Sequence, residues 1–251
     1  MVVRMGNDMT TDVEFKGVSF SYHKDRRVLC DISFSVGHNE SVGLIGANGA
    51  GKSTLLKLLV GLLTGYDGEI LIQGQTVNKK NLADIRRKAA FVFQDSDSQL
   101  FMSTVYEDVA FGPRNYGCSE EETEQKAMDA LRRVKIEKLR DRQIYRISGG
   151  EKKLASIATI LSMEPEIILF DEPSLALDPK NRRNLIHTIN GMAETKLIAS
   201  HDLDMILDTC ERTILLADGR IICQGETEKL LRDRDLLETY GLELPLCMQG
   251  R

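Results

Sequence analysis

A glycine-rich loop in the first quarter of the chain has the residue types and spacing that bind phosphate. Residues 46–53 read Gly-Ala-Asn-Gly-Ala-Gly-Lys-Ser and match the pattern G-x-x-x-x-G-K-[ST]. Glycines let the backbone bend so that its N–H groups cradle phosphate oxygens, helped by the positive end of a following helix. Lys52 would reach the β- and γ-phosphates, and Ser53 would ligate Mg²⁺. The pattern predicts a site for ATP.

An acidic pair, Asp171-Glu172, follows an apolar run at residues 167–170 that has the pattern of a buried strand. Parallel α/β sheets bind ligands at the carboxyl ends of their strands. Adjacent side chains there point in different directions, so Asp171 suits Mg²⁺ and Glu172 suits polarisation of the attacking water. The alternative, an acidic cap on the turn before Pro173, is disfavoured by the presence of the phosphate loop.

A third segment, Ile147-Ser148-Gly149-Gly150-Glu151, precedes a helical run at residues 152–161. A Ser-Gly-Gly turn that opens a helix presents bare N–H groups and a hydroxyl to an anion. The same turn also serves as an ordinary helix N-cap. Taken alone, it leaves both interpretations open.

The elements that must position these residues follow from hydrophobic patterning. Residues 13–22 and 28–36 predict a half-buried antiparallel sheet, and residues 41–45 predict a strand that ends in the glycine loop. Helices are predicted at residues 52–63, 120–138, 180–192 and 203–210, and further strands at 68–74, 89–93, 166–170, 196–199 and 212–216. Alternating strands and helices predict a parallel α/β sheet, into which the helical block between residues 94 and 163 is inserted.

The composition excludes several classes of protein. The chain has 251 residues, with 42% hydrophobic and 28% charged, which is ordinary for a globular protein. A formal net charge of -5 argues against a generic nucleic-acid binder. No stretch approaches the roughly 20 apolar residues of a membrane span, and no signal peptide is evident. The five cysteines are scattered, so we interpret them as reduced thiols in a cytosolic protein.

In the order and spacing of these motifs the sequence resembles the ABC ATPase family over nearly its whole length. The loop at residues 46–53 resembles Walker A, residues 167–172 resemble Walker B, and residues 147–151 resemble the LSGGQ signature with Ile for Leu and Glu for Gln. Gln94 resembles the Q-loop glutamine, residues 174–178 the D-loop, His201 the switch histidine, and Tyr22 the aromatic residue that stacks on adenine.

The resemblance implies a P-loop NTPase fold of the ABC ATPase type, with an antiparallel β subdomain, a RecA-like parallel sheet core and an inserted α-helical subdomain. The expected division is a core with its β subdomain at 11–94 and 164–225, a helical subdomain at 95–163 and a tail at 226–251. The expected catalytic residues are Glu172, His201 and Gln94, and the expected Mg²⁺ ligands are Ser53, Gln94 and Asp171. The expected ATP contacts are Tyr22, Asn48, Gly49, Ala50, Gly51, Lys52, Ser53, Thr54, Ser148, Gly149, Gly150, Glu151 and Asp178.

The family mechanism implies that each ATP lies between Walker A of one subunit and the signature of another, so Ser148 and Gly150 would act in trans. One set of motifs in the chain therefore implies a dimer, either a homodimer or a heterodimer with a related chain. The implied membrane partners are a transmembrane coupling subunit and a substrate-binding subunit, which would hold the chain at the cytoplasmic face of the cell membrane. No nucleic-acid partner is expected.

The sequence around the predicted Q-loop, at residues 91–101 and 104–115, resembles that of the ATPases of energy-coupling-factor (ECF) importers, particularly those for cobalt or nickel. Biotin or another vitamin is the alternative cargo. A soluble ABC protein of DNA repair or translation is a less favoured alternative, since no coiled-coil insertion or second cassette is present. Lys152 and Lys153 are interpreted as a solvated helix face. The tail at residues 236–246 is interpreted as a cover for the core, with dimerisation or docking as the alternative.

Overall fold

The computed structural model describes residues 11–23 and 26–249. The chain begins with two long strands, β1 (Thr11–His23) and β2 (Arg26–Gly37), which pair in antiparallel fashion. Val13 and Phe15 of β1 are buried whereas Lys16 is exposed, the pattern of a sheet with one covered face. β4 (Asp67–Ile72) and β5 (Gln75–Thr76) complete a four-stranded sheet of order β2-β1-β4-β5.

A second sheet forms the centre of the molecule. Its strands are β3 (Ser41–Ile45), β6 (Ala89–Val92), β7 (Ile167–Asp171), β8 (Thr195–Ala199), β9 (Arg212–Ala217) and β10 (Arg220–Glu226). Their order is β10-β9-β3-β8-β7-β6, with β10 antiparallel to β9 and the other pairs parallel. Every residue of β3, β6, β7 and β8 is buried, as expected for parallel strands covered on both faces.

The helices of the described chain connect these strands and fill the segment between β6 and β7. They are α1 (Lys52–Leu59), α2 (Leu82–Lys88), α3 (Val105–Asn115), α4 (Glu120–Arg133), α5 (Gly149–Leu161), α6 (Pro179–Asn190), α7 (Leu203–Thr209), α8 (Thr227–Leu231) and α9 (Arg234–Thr239). Helices α3, α4 and α5 begin with capping boxes, at Thr104, Ser119 and Ser148. Each box satisfies backbone N–H groups that the first helical turn leaves without partners.

Two hydrophobic cores lie on opposite faces of the central sheet. In β7, Ile168 and Phe170 belong to the core shared with α3, α4 and α5, while Ile167 and Leu169 belong to the core shared with the antiparallel sheet and α1. Alternate side chains of a strand point to opposite faces, so one apolar strand joins both cores. The predicted architecture, an α/β fold with an antiparallel sheet, a mainly parallel core and inserted helices, is confirmed.

Several predicted boundaries were wrong. Helix α1 ends at Leu59 instead of residue 63, because Gly61 adopts φ 61°, a left-handed conformation that terminates helices. The position also requires glycine, since a Cβ there would lie 2.2 Å from a methyl of Leu82. Helix α4 ends at Arg133 instead of residue 138, because Lys135 has φ 61°. Strand β10 and helix α2 were not predicted, and β10 makes the central sheet mixed instead of purely parallel.

The tail covers the core, as the sequence predicted. Leu237 and Leu242 are 0% and 8% exposed and belong to the core that the inserted helices share. The last two residues of the predicted tail, 250 and 251, lie outside the described residues. All five cysteines are free. In residues 11–23 and 26–249, no helix combines the length and the apolar character needed to cross a membrane.

Candidate active site

A cleft of about 1050 Å³ lies where the phosphate loop meets the carboxyl ends of the central strands. Residues predicted for the site from sequence line it together: Tyr22, Asn48, Gly49, Ala50, Gly51, Lys52, Ser53, Thr54, Gln94, Glu172 and His201. These residues come from five separate segments of the chain. The fold therefore gathers most of the predicted site residues into one cavity.

The phosphate loop depends on glycine at two positions. Gly46 has φ 153°, and a Cβ there would lie 2.1 Å from the Leu216 carbonyl oxygen. Gly51 has φ 107°, and a Cβ there would lie 2.7 Å from a methyl of Leu29. Side chains are excluded by contact with the sheet as well as by backbone conformation. The loop therefore stays bare, with its backbone free to approach a ligand.

Lys52 is 6% exposed and lies within the loop. Its Nζ donates to the carbonyl oxygens of Gly46 at 2.7 Å and Ala47 at 3.3 Å, and lies 3.7 Å from Glu172 Oε1. Burial lowers the pKa of Lys52, and the carboxylates of Glu172 and Asp171 oppose that shift. A phosphate group entering the cleft would offer this ammonium stronger acceptors than the two carbonyls.

Ser53 and Asp171 form an oxygen-rich pair beside the loop. Ser53 Oγ donates to Asp171 Oδ1 at 2.7 Å, and Asp171 is 3% exposed. Burial raises the pKa of Asp171, while the Ser53 hydrogen bond lowers it. A hydroxyl and a carboxylate are hard oxygen donors that fit Mg²⁺, which keeps several waters and takes further ligands from substrate phosphates. In the described residues, no group of three or more His, Cys, Asp or Glu side chains is arranged so that it could hold a metal ion by itself.

Glu172 is held by the turn that carries His201. Glu172 Oε2 accepts from the backbone N–H of His201 at 3.1 Å, and His201 Nδ1 lies 2.7 Å from the same oxygen. Ser200 Oγ donates to it at 3.3 Å. Glu172 has φ 45°, a conformation that costs of order 1 kcal/mol or more for a residue other than glycine. The carboxylate is thus oriented by three neighbouring groups on a strained backbone.

Tyr22 and Gln94 contribute exposed side chains at the edges of the cleft. Tyr22 is 52% exposed, packs edge-on against Phe20, and its hydroxyl lies 3.0 Å from Thr54 Oγ1. About half of this side chain is therefore accessible from solvent at the cleft. Gln94 follows β6 and is exposed. It lines the same cleft as the phosphate loop.

The Ser-Gly-Gly segment does not line this cleft. Ser148 and Gly149 are exposed at the start of α5, and Ser148 accepts from Glu151 N at 3.3 Å while Glu151 Oε2 accepts from Ser148 N at 2.7 Å. Gly150 is buried, and a Cβ there would lie 2.2 Å from Asn181 Cγ. Asp178 also lies outside the cleft lining and caps α6 by accepting from the backbone of Lys180 and Asn181, each at 2.9 Å.

Sequence reasoning missed part of the cleft wall. Its members are His23, Arg27, Val28, Asp218 and Gly219, together with Leu175, which lies in the segment that resembles the D-loop but was not predicted as a site residue. Asp218 and Gly219 have φ 47° and 70° and form the turn between β9 and β10. An Asp-Gly pair between two apolar runs is a strong hairpin signal, and it could have identified this turn. Arg27, an exposed cation near Tyr22, had no comparable signal.

The interpretation of Lys153 as a solvated residue was wrong. Lys153 is 3% exposed, and its Nζ donates to the carbonyl oxygens of Phe93 at 2.9 Å and Gln94 at 2.8 Å. Burial lowers the pKa of Lys153 to about 8. Lys152 is partly exposed and bonds Asp97 Oδ1 at 2.6 Å. The sequence pattern of α5 placed Lys153 on the surface of the helix. That pattern carries no information on the segment around Gln94, which packs over this side of α5 in the structure.

The fold and the cleft define an α/β nucleotide-binding protein whose phosphate loop links a buried parallel strand to a helix. The family profile described as ABC transporter matches residues 29–175, more than half of the chain. The chain therefore belongs to the ABC transporter family, as an ATP-binding subunit that hydrolyses ATP.

Individual relatives agree with this assignment. The chain is 45% identical to the protein named "Putative ABC transporter ATP-binding protein GSU1281" of Geobacter sulfurreducens, covering 95% of this chain and 96% of that one. It is 38% identical to the energy-coupling factor transporter ATP-binding protein EcfA of Carboxydothermus hydrogenoformans, covering 96% and 90%. Its fold matches cbiO1 of Clostridium perfringens, described as part of the ABC transporter complex cbiONQ, with a TM-score of 0.83, 30% identity and coverage of 92% and 94%.

Proposed function

We propose that the chain is the ATPase subunit of an ECF-type importer, in which ATP closes a pair of such subunits and thereby drives a membrane partner. The observation that carries this proposal is the division of the predicted site. Lys52, Glu172 and His201 meet in one cleft, whereas Ser148 and Gly149 are exposed outside it. A second subunit is the simplest source of a signature segment for that cleft.

In the proposed site, the triphosphate of ATP lies on the loop at residues 46–53, and adenine stacks on Tyr22. Asn48, Gly49, Ala50, Gly51 and Thr54 line the cleft beside Lys52 and offer backbone N–H groups or a hydroxyl to the phosphates. Lys52 would exchange its carbonyl partners for phosphate oxygens. Mg²⁺ would be held by Ser53, by Asp171 and by Gln94, and would neutralise charge on the phosphates.

Glu172 is proposed to orient and polarise the attacking water. Its carboxylate already accepts from His201 and Ser200, so its position is defined before substrate binds. His201, exposed at the cleft, is proposed to contact the γ-phosphate. Closing the cleft with a second subunit would exclude bulk water from these groups, which strengthens their electrostatic interactions.

In trans, Ser148, Gly149, Gly150 and Glu151 of the second subunit are proposed to meet the γ-phosphate. The N-terminus of α5, a helix of 13 residues, carries a partial positive charge that suits an anion. Asp178 is proposed to lie at the same interface. The side chain of Asn181 donates to Asp178 Oδ2 at 2.7 Å and packs against Gly150. Asp178 and the signature segment therefore lie on the same surface.

An exposed aromatic pair, with one ring on α3 and the other on the segment that precedes it, supports a protein partner. Phe101 and Phe111 are 65% and 39% exposed, and their rings meet edge-to-face with centroids 4.8 Å apart. Buried Asp108 holds this segment by accepting from the backbone of Phe101 and Met102, each at 3.1 Å. Large exposed aromatic side chains are typical of interfaces. We propose that a transmembrane coupling subunit docks here and holds the chain at the cytoplasmic face of the membrane.

The proposed cargo is a cobalt or nickel ion, with biotin or another vitamin as the alternative. The ECF assignment is supported by the similarity to EcfA of Carboxydothermus, and the metal assignment by the resemblance of residues 91–101 and 104–115 to the ATPases of cobalt and nickel importers. The homodimer is preferred to a heterodimer because this one chain supplies both the cleft and an exposed signature segment.

Copurification tests the membrane role. The tagged chain, extracted from its host in mild detergent, should carry a transmembrane subunit and a small substrate-binding membrane subunit. Replacing Phe101 and Phe111 by Ala should remove both, whereas Leu246→Ala, which truncates a 75% exposed side chain on the tail, should keep them. Recovery of only soluble partners would refute the transport role. Uptake of radiolabelled cobalt, nickel or biotin by cells expressing the complex then distinguishes the cargoes.

A further inference from the structure

Helix α5 and the segment that contains Gln94 are joined by several side-chain links. We call residues 93–99 the Gln94 loop. Lys153 Nζ donates to the carbonyl oxygens of Phe93 and Gln94 at 2.9 and 2.8 Å. Gln99 closes the other end, since its Nε2 donates to Ser156 O at 2.6 Å and its Oε1 accepts from Phe93 N at 3.2 Å. The whole loop is therefore fastened to one face of α5.

The Lys153 link is the costly one. The side chain is 3% exposed, and removing an ammonium from water is unfavourable unless hydrogen bonds compensate it. A lysine stem is long enough to carry its charge to solvent from many helix positions. Here the ammonium instead caps the two carbonyls where β6 ends and the Gln94 loop begins. The hydrogen bonds that compensate the burial of this ammonium therefore also hold the backbone of Gln94 in place.

The same helix begins with the signature segment. Ser148 is the N-cap of α5, and Lys153 lies five residues further along the same continuous helix. Because Ser148 and Lys153 belong to one continuous helical segment, a displacement of the Gln94 backbone would be passed through Lys153 to Ser148. The proposed functions of these residues concern different ATP molecules: Gln94 acts on the nucleotide of its own subunit and Ser148 on that of the partner.

We propose that Lys153 is a positioning residue that fastens the Gln94 loop to α5. Binding of ATP to one subunit would then fix the position of the signature segment, residues 147–151, that this subunit presents to the ATP of the other subunit. The inference rests on the proposed dimer. It assigns to Lys153 the coupling between the two ATP sites. Among the described residues that line the cleft, Lys153 hydrogen-bonds Gln94 alone, through its backbone, so its removal should spare the first encounter with ATP.

The chain offers a matched control in Lys196. This lysine is also buried, at 6% exposed, and its Nζ also donates to two backbone carbonyls, those of Met192 at 2.8 Å and Glu194 at 3.1 Å. These partners precede β8 and lie outside the cleft lining. Lys196→Met therefore reports the loss of a buried ammonium that donates two hydrogen bonds, without any change at the Gln94 loop.

The test compares Lys153→Met with Lys196→Met in the full chain. For Lys153→Met we expect kcat for ATP hydrolysis to fall roughly 10- to 100-fold through misplacement of the Gln94 loop and Ser148. The affinity of the isolated subunit for a fluorescent ATP analogue should stay within about 2-fold, because the loop at residues 46–53 is untouched. Lys196→Met should match Lys153→Met in melting temperature and keep its kcat. Equal kcat in the two variants would overturn the proposal.

A second measurement separates this inference from the proposed function. In the Glu172→Gln background, ATP should drive dimer formation, measured by sedimentation, and adding Lys153→Met should weaken it. If Glu172→Gln alone fails to dimerise, the proposed dimer and this inference both fail. If it dimerises and Lys153→Met changes nothing, only the inference fails.

Should Lys153→Met not fold, Gln99→Met decides: a lower kcat with unchanged analogue binding supports the coupling, and an unchanged kcat contradicts it.

Discussion

The two halves of the proposed ATP site are built in opposite ways. The half around Lys52, Asp171 and Glu172 is buried at the ends of central strands, and its side chains are bonded to one another. The half around Ser148 and Gly149 is exposed, and its polar groups bond only within their own helical turn. One half is therefore assembled within a single chain, while the other is exposed, as the proposed site shared between two subunits requires.

This difference separates binding from turnover. A site made of buried strand ends can hold nucleotide in one subunit, because its groups are already in place. Chemistry that also needs the exposed half must wait for a second chain. Variants in the two halves should therefore fail in different ways, and the following predictions use that contrast.

The largest expected effect is in the buried half. Glu172→Gln removes the group proposed to polarise water, so kcat should fall roughly 10²- to 10⁴-fold while ATP binding persists. Phosphate release and equilibrium binding of ATP measure the two quantities. Normal turnover in this variant would remove Glu172 from the mechanism.

Lys52→Ala should weaken ATP binding itself. Loss of a charged hydrogen-bond donor costs about 1.5–3 kcal/mol, or about 10- to 100-fold in affinity. It also leaves Glu172 without the ammonium that lies 3.7 Å from its Oε1, so that anion would repel the phosphates. Titration with a fluorescent ATP analogue at micromolar concentration measures the change. Unchanged affinity would contradict the phosphate-loop assignment.

Ser148→Arg should break the exposed half without affecting binding in its own subunit. A bulky cation at the start of α5 would obstruct approach of the partner's nucleotide, so turnover should fall roughly 10-fold or more. Mixed dimers, in which one subunit carries Ser148→Arg and the other Lys52→Ala, test the arrangement in trans. The site that keeps Lys52 then faces an intact signature and should stay active; an inactive mixed dimer would place Ser148 in its own subunit's site.

The smallest effect is expected at the edge of the buried half. Tyr22→Ala removes the proposed base platform, and stacking on an aromatic ring is worth about 1–3 kcal/mol, so ATP affinity should fall about 5-fold or more. Tyr22→Phe keeps the ring, loses only the hydroxyl that lies 3.0 Å from Thr54 Oγ1, and should bind within about 2-fold of the parent chain. Equal losses in both variants would assign the effect to the hydroxyl instead of stacking.

The sequence predicted well where short-range rules act. The glycine loop, the strand before it and the acidic pair at the end of β7 were found because each motif is contiguous and its chemistry needs those residue types. Helix ends were found poorly, since α1 and α4 stop where Gly61 and Lys135 take positive φ, which depends on local packing. The roles of all predicted site residues in catalysis and in binding ATP and Mg²⁺, including Asp178 and residues 148–151, and the subdomain boundaries stay predictions.

By itself, the sequence determined the chemistry available to this protein: a phosphate loop, two carboxylates, a histidine, and alternating strands and helices that bring them to one edge of a sheet. Only the tertiary structure decided what surrounds them. It placed the β9–β10 turn in the cleft wall and buried Lys153 against the carbonyls of Phe93 and Gln94. The physical reason is that periodicity shows which face of an element is apolar, whereas the packing of distant segments decides which polar groups that face meets.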